Sequence, residues 1–173
     1  IFSLLAWLPQ AYKGTVDQLK SLDTKIRKMD VLVHGDTLST ILGAIAGRIV
    51  GARVVHLESG LTSQRLFDPF PEEIVRRIVF HLTHIAMCPN EETLLYMQKK
   101  YSHCLAIDTK GNTIVDSIKI SGIQRKIDNH SIPYIVASLH RFQNIYERKR
   151  LNELIQLLIN ISKTHQIKFV LHP

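Results

Sequence analysis

Short apolar runs that stop at glycine or a polar residue alternate along this chain with segments of helical periodicity, and this alternation constrains the fold more than any other feature. Val31-Leu32-Val33, halted by Gly35, has the pattern of a strand buried on both faces of a parallel sheet. Similar runs cover 53–57, 85–88, 103–107, 134–139 and 168–171. Helical spacing fills the intervals and predicts helices over 15–28, 39–50, 71–82, 91–100 and 113–120. A longer amphipathic helix passes through Leu151, Leu154, Ile155, Leu158 and Ile161. Gly43, Ala44, Ala46 and Gly47 are small enough to let their helix lie close on a sheet. Strict strand-helix alternation specifies an α/β, doubly wound parallel sheet.

The residues between 121 and 133 lose this periodicity and carry Gly, Lys, Arg, Asp, Asn, Ser and Pro, the composition of a linker. They suggest a first domain over 1–122, a linker over 123–132 and the beginning of a second domain over 133–173. The second domain starts but is not completed, and no initiator methionine is present, so the sequence suggests a piece of a longer protein. With 173 residues, 45 % of them apolar, the chain has material for a real core and is no disordered tail. The opening 1–8 is short, lacks preceding basic residues and meets Pro9, which fits neither a signal peptide nor a spanning helix. Cys88 and Cys104 have no metal-site or disulfide-rich spacing, which suits a reduced, cytoplasmic setting.

A net charge of +7 favours anionic partners such as nucleotides, sugar phosphates or nucleic acid. Its Lys and Arg are scattered without interleaved aromatics, which argues against a nucleic-acid-binding module. His81 and His84, read three apart on one helix, lack a third ligand, so no metal site is expected. There is no phosphate-binding P-loop, nucleophile elbow or dinucleotide fingerprint.

Ligands of open α/β sheets bind beyond the carboxyl ends of the strands. Two strand ends here are alike: His34-Gly35-Asp36-Thr37 and His56-Leu57-Glu58-Ser59. Period-two alternation places His34 with Asp36, and His56 with Glu58, on common sides. Taken singly, Asp36 is a helix cap and Glu58 opens a loop; together they mark a site. Pro71-Glu72-Glu73, followed by Arg76 and Arg77, makes an ordinary helix start, with acids at the positive dipole end and Glu72/Arg76 and Glu73/Arg77 pairs. Gly111-Asn112-Thr113 reads chiefly as a turn and cap, with phosphate contact as a second use for Asn112. His140 and Arg141 end another strand and have the chemistry to meet phosphate oxygens or simply to be solvated.

The ordered blocks V-H-G-D-T-x-S-T, H-L-E-S-G-L, P-F-P-E-E-I-V-R-R, G-N-T-I-V-D and L-H-R resemble the non-hydrolysing UDP-N-acetylglucosamine 2-epimerases over nearly the whole chain. The resemblance implies a glycosyltransferase-B-like fold of two Rossmann domains binding a UDP-sugar in the intervening cleft. It implies interconversion of UDP-N-acetylglucosamine and UDP-N-acetylmannosamine for polysaccharide biosynthesis, with no cofactor, no membrane partner and a homodimer in the full-length protein. Asp36, Glu58, Glu72 and His140 would be catalytic, with Arg76, Arg141 and Asn112 binding substrate. A hydrolysing relative, or an enzyme for another UDP-2-acetamido sugar, is the alternative; the intact Pro71-Glu72-Glu73 block favours the non-hydrolysing branch. The sequence departs from the family at Thr62, usually arginine, and at Gln143, usually glutamate in a block that helps form an allosteric UDP-sugar site in bacterial relatives. The family's N-terminal glycine-rich region and C-terminal uridine-binding half are not in this sequence, so these residues alone are expected to be inactive.

Overall fold

The computed structural model describes residues 2–22, 29–122, 133–139 and 145–171. The chain divides into two compact units, Ile1–Ile123 and Gln124–Pro173. The proposed linker and His140, Arg141 and Gln143 lie outside the described residues.

The first unit begins with helix α1, Phe2–Leu22. Helix starts well before residue 15 because Pro9, read from sequence as a break, is accommodated inside it. Proline removes one backbone donor, but its fixed φ is itself helical, so the turns on either side can continue. Strands β1 (Asp30–His34), β2 (Arg53–Leu57), β3 (Ile85–Cys88) and β4 (Leu105–Asp108) then form one parallel sheet in chain order. Helices α2 (Leu38–Ile49), α3 (Glu72–Leu82) and α4 (Glu91–Lys100) make the crossovers, and α5 (Thr113–Ile120) follows β4.

The small residues of α2 act as the sequence suggested. A Cβ on Gly43 would meet Val33 Cγ1 at 2.9 Å, and one on Gly47 would meet Val31 and Val54 at 3.2 Å. Val33, Ala44, Val54, Val75 and Val79 form a core where α2 and α3 cover β1 and β2. Phe80, Ala86, Cys88, Met97, Tyr101 and Cys104 form a second core cluster. Asn90 caps α4 by accepting from Thr93 N at 2.9 Å, while its own N–H donates to Thr93 Oγ1.

His84 is not on the helix with His81. It lies beyond the Thr83 cap, where its Nδ1 accepts from Val54 N at 2.9 Å, while the His81 ring packs edge-on to Tyr101. No described helix is long and apolar enough to cross a membrane.

The second unit contains parallel strands β5 (Tyr134–Ser138) and β6 (Gln166–Val170), with helix α6 (Arg148–Ser162) between them in sequence. Leu151, Leu154, Leu158 and Ile161 are its half-buried positions, a stripe at helical spacing, whereas Ile155 is exposed.

Candidate active site

The site is built where β1 and β2 end side by side, with His34 in register with Leu57. Each chain then leaves the sheet through a left-handed residue: Gly35 at φ 72° and Glu58 at φ 57°. Gly35 adopts this conformation without steric cost; Glu58 does so against the ordinary preference of a residue with a Cβ. Ser59 N donates to Met87 O at 2.8 Å, so pairing resumes immediately after Glu58 and fixes the strained residue between two anchored neighbours.

Asp36, His56, Glu58 and Arg76 converge on one pocket of about 100 Å³, walled also by Gly35, Leu61 and Phe80. The sequence singled out three of these four polar residues as functional and placed His56 beside Glu58. Asp36 is not the α2 cap of the plain structural account. Thr37 takes that position, and Asp36 instead forms an ion pair with Arg76 from α3. Glu58 accepts from Thr113 Oγ1 at 2.5 Å and lies 3.1 Å from His34 Nε2. Burial pushes its carboxyl pKa up, but hydrogen bonds from Thr113, His34 and Asn112 outweigh this and hold it below the ordinary glutamate value.

His56 is buried, and Gly35 O, an obligate acceptor, lies 2.9 Å from its Nε2. Nε2 therefore carries the proton, leaving Nδ1 to accept from the Ser59 hydroxyl at 3.0 Å. Burial lowers the pKa of this imidazole, keeping it neutral.

Glu72 and Glu73, adjacent in sequence, differ sharply in setting. Glu72 Oε2 is buried and has no hydrogen-bond partner among the described residues, and Glu72 does not line the pocket. Glu73 is fully buried and accepts from Thr62 Oγ1, from Ser63 N at 3.1 Å and from Arg77 Nε at 3.0 Å. Burial raises its pKa, yet these donors together lower it below the usual range. Arg76 Nη1 is 3.6 Å from Glu73, so one guanidinium links this buried carboxylate to Asp36. The predicted Glu72/Arg76 pair is not among the described ion pairs. Thr62, at a departure from the family pattern, has a definite task in supporting Glu73.

Asn112 caps α5 through Oδ1, which accepts from Ile114 N at 2.9 Å, and it lies next to the Thr113 that binds Glu58. Sequence reasoning missed Thr113 and the role of Glu73. Thr113 stands in the quoted G-N-T block, and Glu73 precedes the buried Phe80 by two helical turns, which places both on one helix face.

Parallel β-α-β units with carboxylates at adjacent strand ends define an open α/β fold whose ligand site lies at the carboxyl edge. The fold is of the glycosyltransferase-B kind. A family model described as UDP-N-acetylglucosamine 2-epimerase matches residues 10–173, and the chain belongs to that family. A UDP-N-acetylglucosamine 2-epimerase homolog of Methanococcus maripaludis is 31 % identical over 172 residues, covering 92 % of this chain and 46 % of that protein. The Bacillus subtilis UDP-N-acetylglucosamine 2-epimerase is 26 % identical, with coverage of 95 % and 45 %. The crystal structure of the Neisseria meningitidis enzyme bound to UDP-GlcNAc matches with TM-score 0.74 at 25 % identity, covering 95 % of this chain and 47 % of that one. The S. aureus MnaA-UDP co-structure gives 0.73 at 26 % identity, with the same coverage. The chain thus spans slightly under half the length of these relatives.

Proposed function

We propose that these residues supply the acid-base carboxylates of an enzyme that inverts C2 of a UDP-2-acetamido sugar, interconverting UDP-N-acetylglucosamine and UDP-N-acetylmannosamine. The observation that carries this reading is the convergence of Asp36 and Glu58 on one pocket at the ends of adjacent parallel strands.

The C2 hydrogen of an amido sugar is not acidic, so direct deprotonation at neutral pH is too difficult. Breaking the C1–O bond to the diphosphate develops oxocarbenium character at C1 and acidifies the neighbouring proton. A carboxylate removes that proton as the C1–C2 double bond forms, giving a glycal and UDP. Return of a proton to the opposite face of C2 and re-addition of UDP at C1 complete inversion. Glu58, held ionised by its donors, suits proton removal. Asp36 is oriented by Arg76, and Glu72 offers a buried carboxylate oxygen that needs a partner. In this reading Arg76 acts through Asp36, while Asn112 and Thr113 both hold Glu58 by hydrogen bonds.

His140 and Arg141 enter through the L-H-R block, as groups for the departing diphosphate. Only protons and the diphosphate leaving group move in these steps and no carbon changes oxidation state overall, so no redox cofactor is required. The protein works as a cytoplasmic homodimer, and residues 1–173 alone turn over no substrate. The gene product carrying these residues, incubated with UDP-N-acetylglucosamine in deuterium oxide, forms product deuterated at C2. Epimer formed without solvent deuterium at C2 rejects the mechanism.

A further inference from the structure

A second cavity in the first unit, about 450 Å³, shares no lining residue with the carboxylate pocket. Gln64, Arg77, Tyr96, Lys99, Lys100 and Tyr101 line it. Every one of these side chains can donate hydrogen bonds, three are cationic at neutral pH, and no carboxylate lines the cavity. Lys99 and Lys100 occupy the last turn of α4, where they also complement the helix dipole. That placement accounts for two charges, but not for a guanidinium, two phenols and an amide sharing one cavity with them.

The walls are held in place. Arg77 Nε is bonded to the buried Glu73, which orients the guanidinium; its terminal nitrogens make no hydrogen bond among the described residues. Gln64 adopts φ 62°, with its N–H on Thr62 Oγ1 at 3.0 Å. Tyr101 is buried edge-on to Phe80 at 5.2 Å and to His81 at 4.9 Å between ring centroids. Burial pushes the Tyr101 phenol up to about 12, and its side-chain hydrogen bond with Tyr96 joins the two phenols on one wall.

A ligand that satisfies such a cavity is rich in acceptor oxygens and carries more than one negative charge. Its volume also leaves room for more than a lone oxyanion. We infer that this cavity binds a small phosphorylated compound, with phosphate on Arg77, Lys99 and Lys100 and the remainder against Tyr96 and Tyr101. Phosphate fits better than carboxylate because three oxygens and up to two charges engage three cations. The inference is independent of the proposed reaction.

The test is an amide NMR titration of the gene product carrying these residues at low salt, with inorganic phosphate, glucose 1-phosphate and adenosine 5′-monophosphate as separate probes. Saturable shifts at Gln64 and at 99–101 are expected, with the amides of Gly35 and Glu58 unmoved. Lys99→Ala/Lys100→Ala should weaken binding by about 10-fold or more, since it removes two charge-assisted contacts. Both lysines are exposed, and the variant's own spectrum reports its folding. Equal affinity for all probes identifies free phosphate as the ligand; tighter binding of the sugar phosphate or nucleotide identifies that class. Shifts confined to the carboxylate pocket, shifts reproduced by sodium chloride at equal ionic strength, or undiminished affinity in the folded double variant overturn the inference.

Discussion

Arg76 of α3 forms an ion pair with Asp36, just beyond β1, and the same guanidinium lies 3.6 Å from the buried Glu73 one turn earlier on its own helix. The carboxylate pocket is therefore tied to a helix whose own packing fixes the orientation of Asp36. Asp36→Asn keeps the side-chain shape but removes the charge that Arg76 meets and the capacity to exchange a proton. In the gene product carrying these residues, kcat for epimerisation should fall on the order of 10²-fold or more, the usual scale for a positioned acid or base. Near-normal turnover in a folded Asp36→Asn enzyme counts against its assigned role.

Glu73 has a different task. Its carboxylate unites Thr62, Ser63 and Arg77, so it holds the loop after β2 against α3. Glu73→Gln exchanges an ionic acceptor for a neutral amide whose N–H₂ group faces donors. The expected loss is about 3 kcal/mol, the scale for disrupting a buried charged pair, read as a lower urea midpoint. The sign of the pH dependence follows from the depressed pKa. The contribution is complete above the unfolded-state glutamate value and disappears as pH falls through the lower folded value. Wild type should consequently lose more stability than Glu73→Gln on acidification below about pH 4.5; parallel losses would exclude the assigned linkage.

The alternation of apolar runs and helical segments carried most of the first unit, because strands buried within a parallel sheet show long apolar runs and the crossovers show periodicity. The strand at 53–57 and the helices at 91–100 and 113–120 have the boundaries read from sequence. Asp36 and Glu58 were legible because both follow apolar runs at the edge where such folds bind ligands. Glu72 and Glu73 were harder to separate. Both satisfy the dipole and both have arginine four residues later, but only Glu73 faces the core, and its donors come from a loop with no periodicity. The last strand extends to Gln166 because a polar residue can pair in the exposed β5–β6 ladder. Lys168, already within the strand read from sequence, holds its Nζ 3.6 Å from the Tyr134 ring centroid, a contact that apolar-run counting does not detect.

His56 should remain neutral well below the pH at which a free imidazole protonates. Burial is the leading cause, and both ring nitrogens have partners suited to the neutral form. Because the folded pKa is lowered, the stability linked to His56 is present above about pH 6.5 and is lost as pH falls from there through the folded value. Imidazole NMR shifts should show His56 titrating below the ordinary histidine value of about 6.5; a midpoint at or above that value would contradict the buried neutral assignment.

Gly60 offers the sharpest test of the backbone path between the two cavities' linings. Its φ is 87°, and a Cβ built there would meet Thr93 O at 2.6 Å and Thr93 Cβ at 2.9 Å. Alanine therefore faces both a disfavoured conformation and the backbone at the start of α4, which cannot retreat without disturbing the Asn90–Thr93 cap. The left-handed conformation alone costs an L-residue about 1–2 kcal/mol, and the overlap adds to it. Gly60→Ala should lower the urea midpoint by more than Gly111→Ala, where a Cβ meets nothing within 4 Å and φ is not in the left-handed region. Equal midpoints for the two variants would show that the loop after Glu58 can move away from α4 at little cost, and that the position of Glu58 depends on its Thr113 and His34 contacts rather than on this close approach.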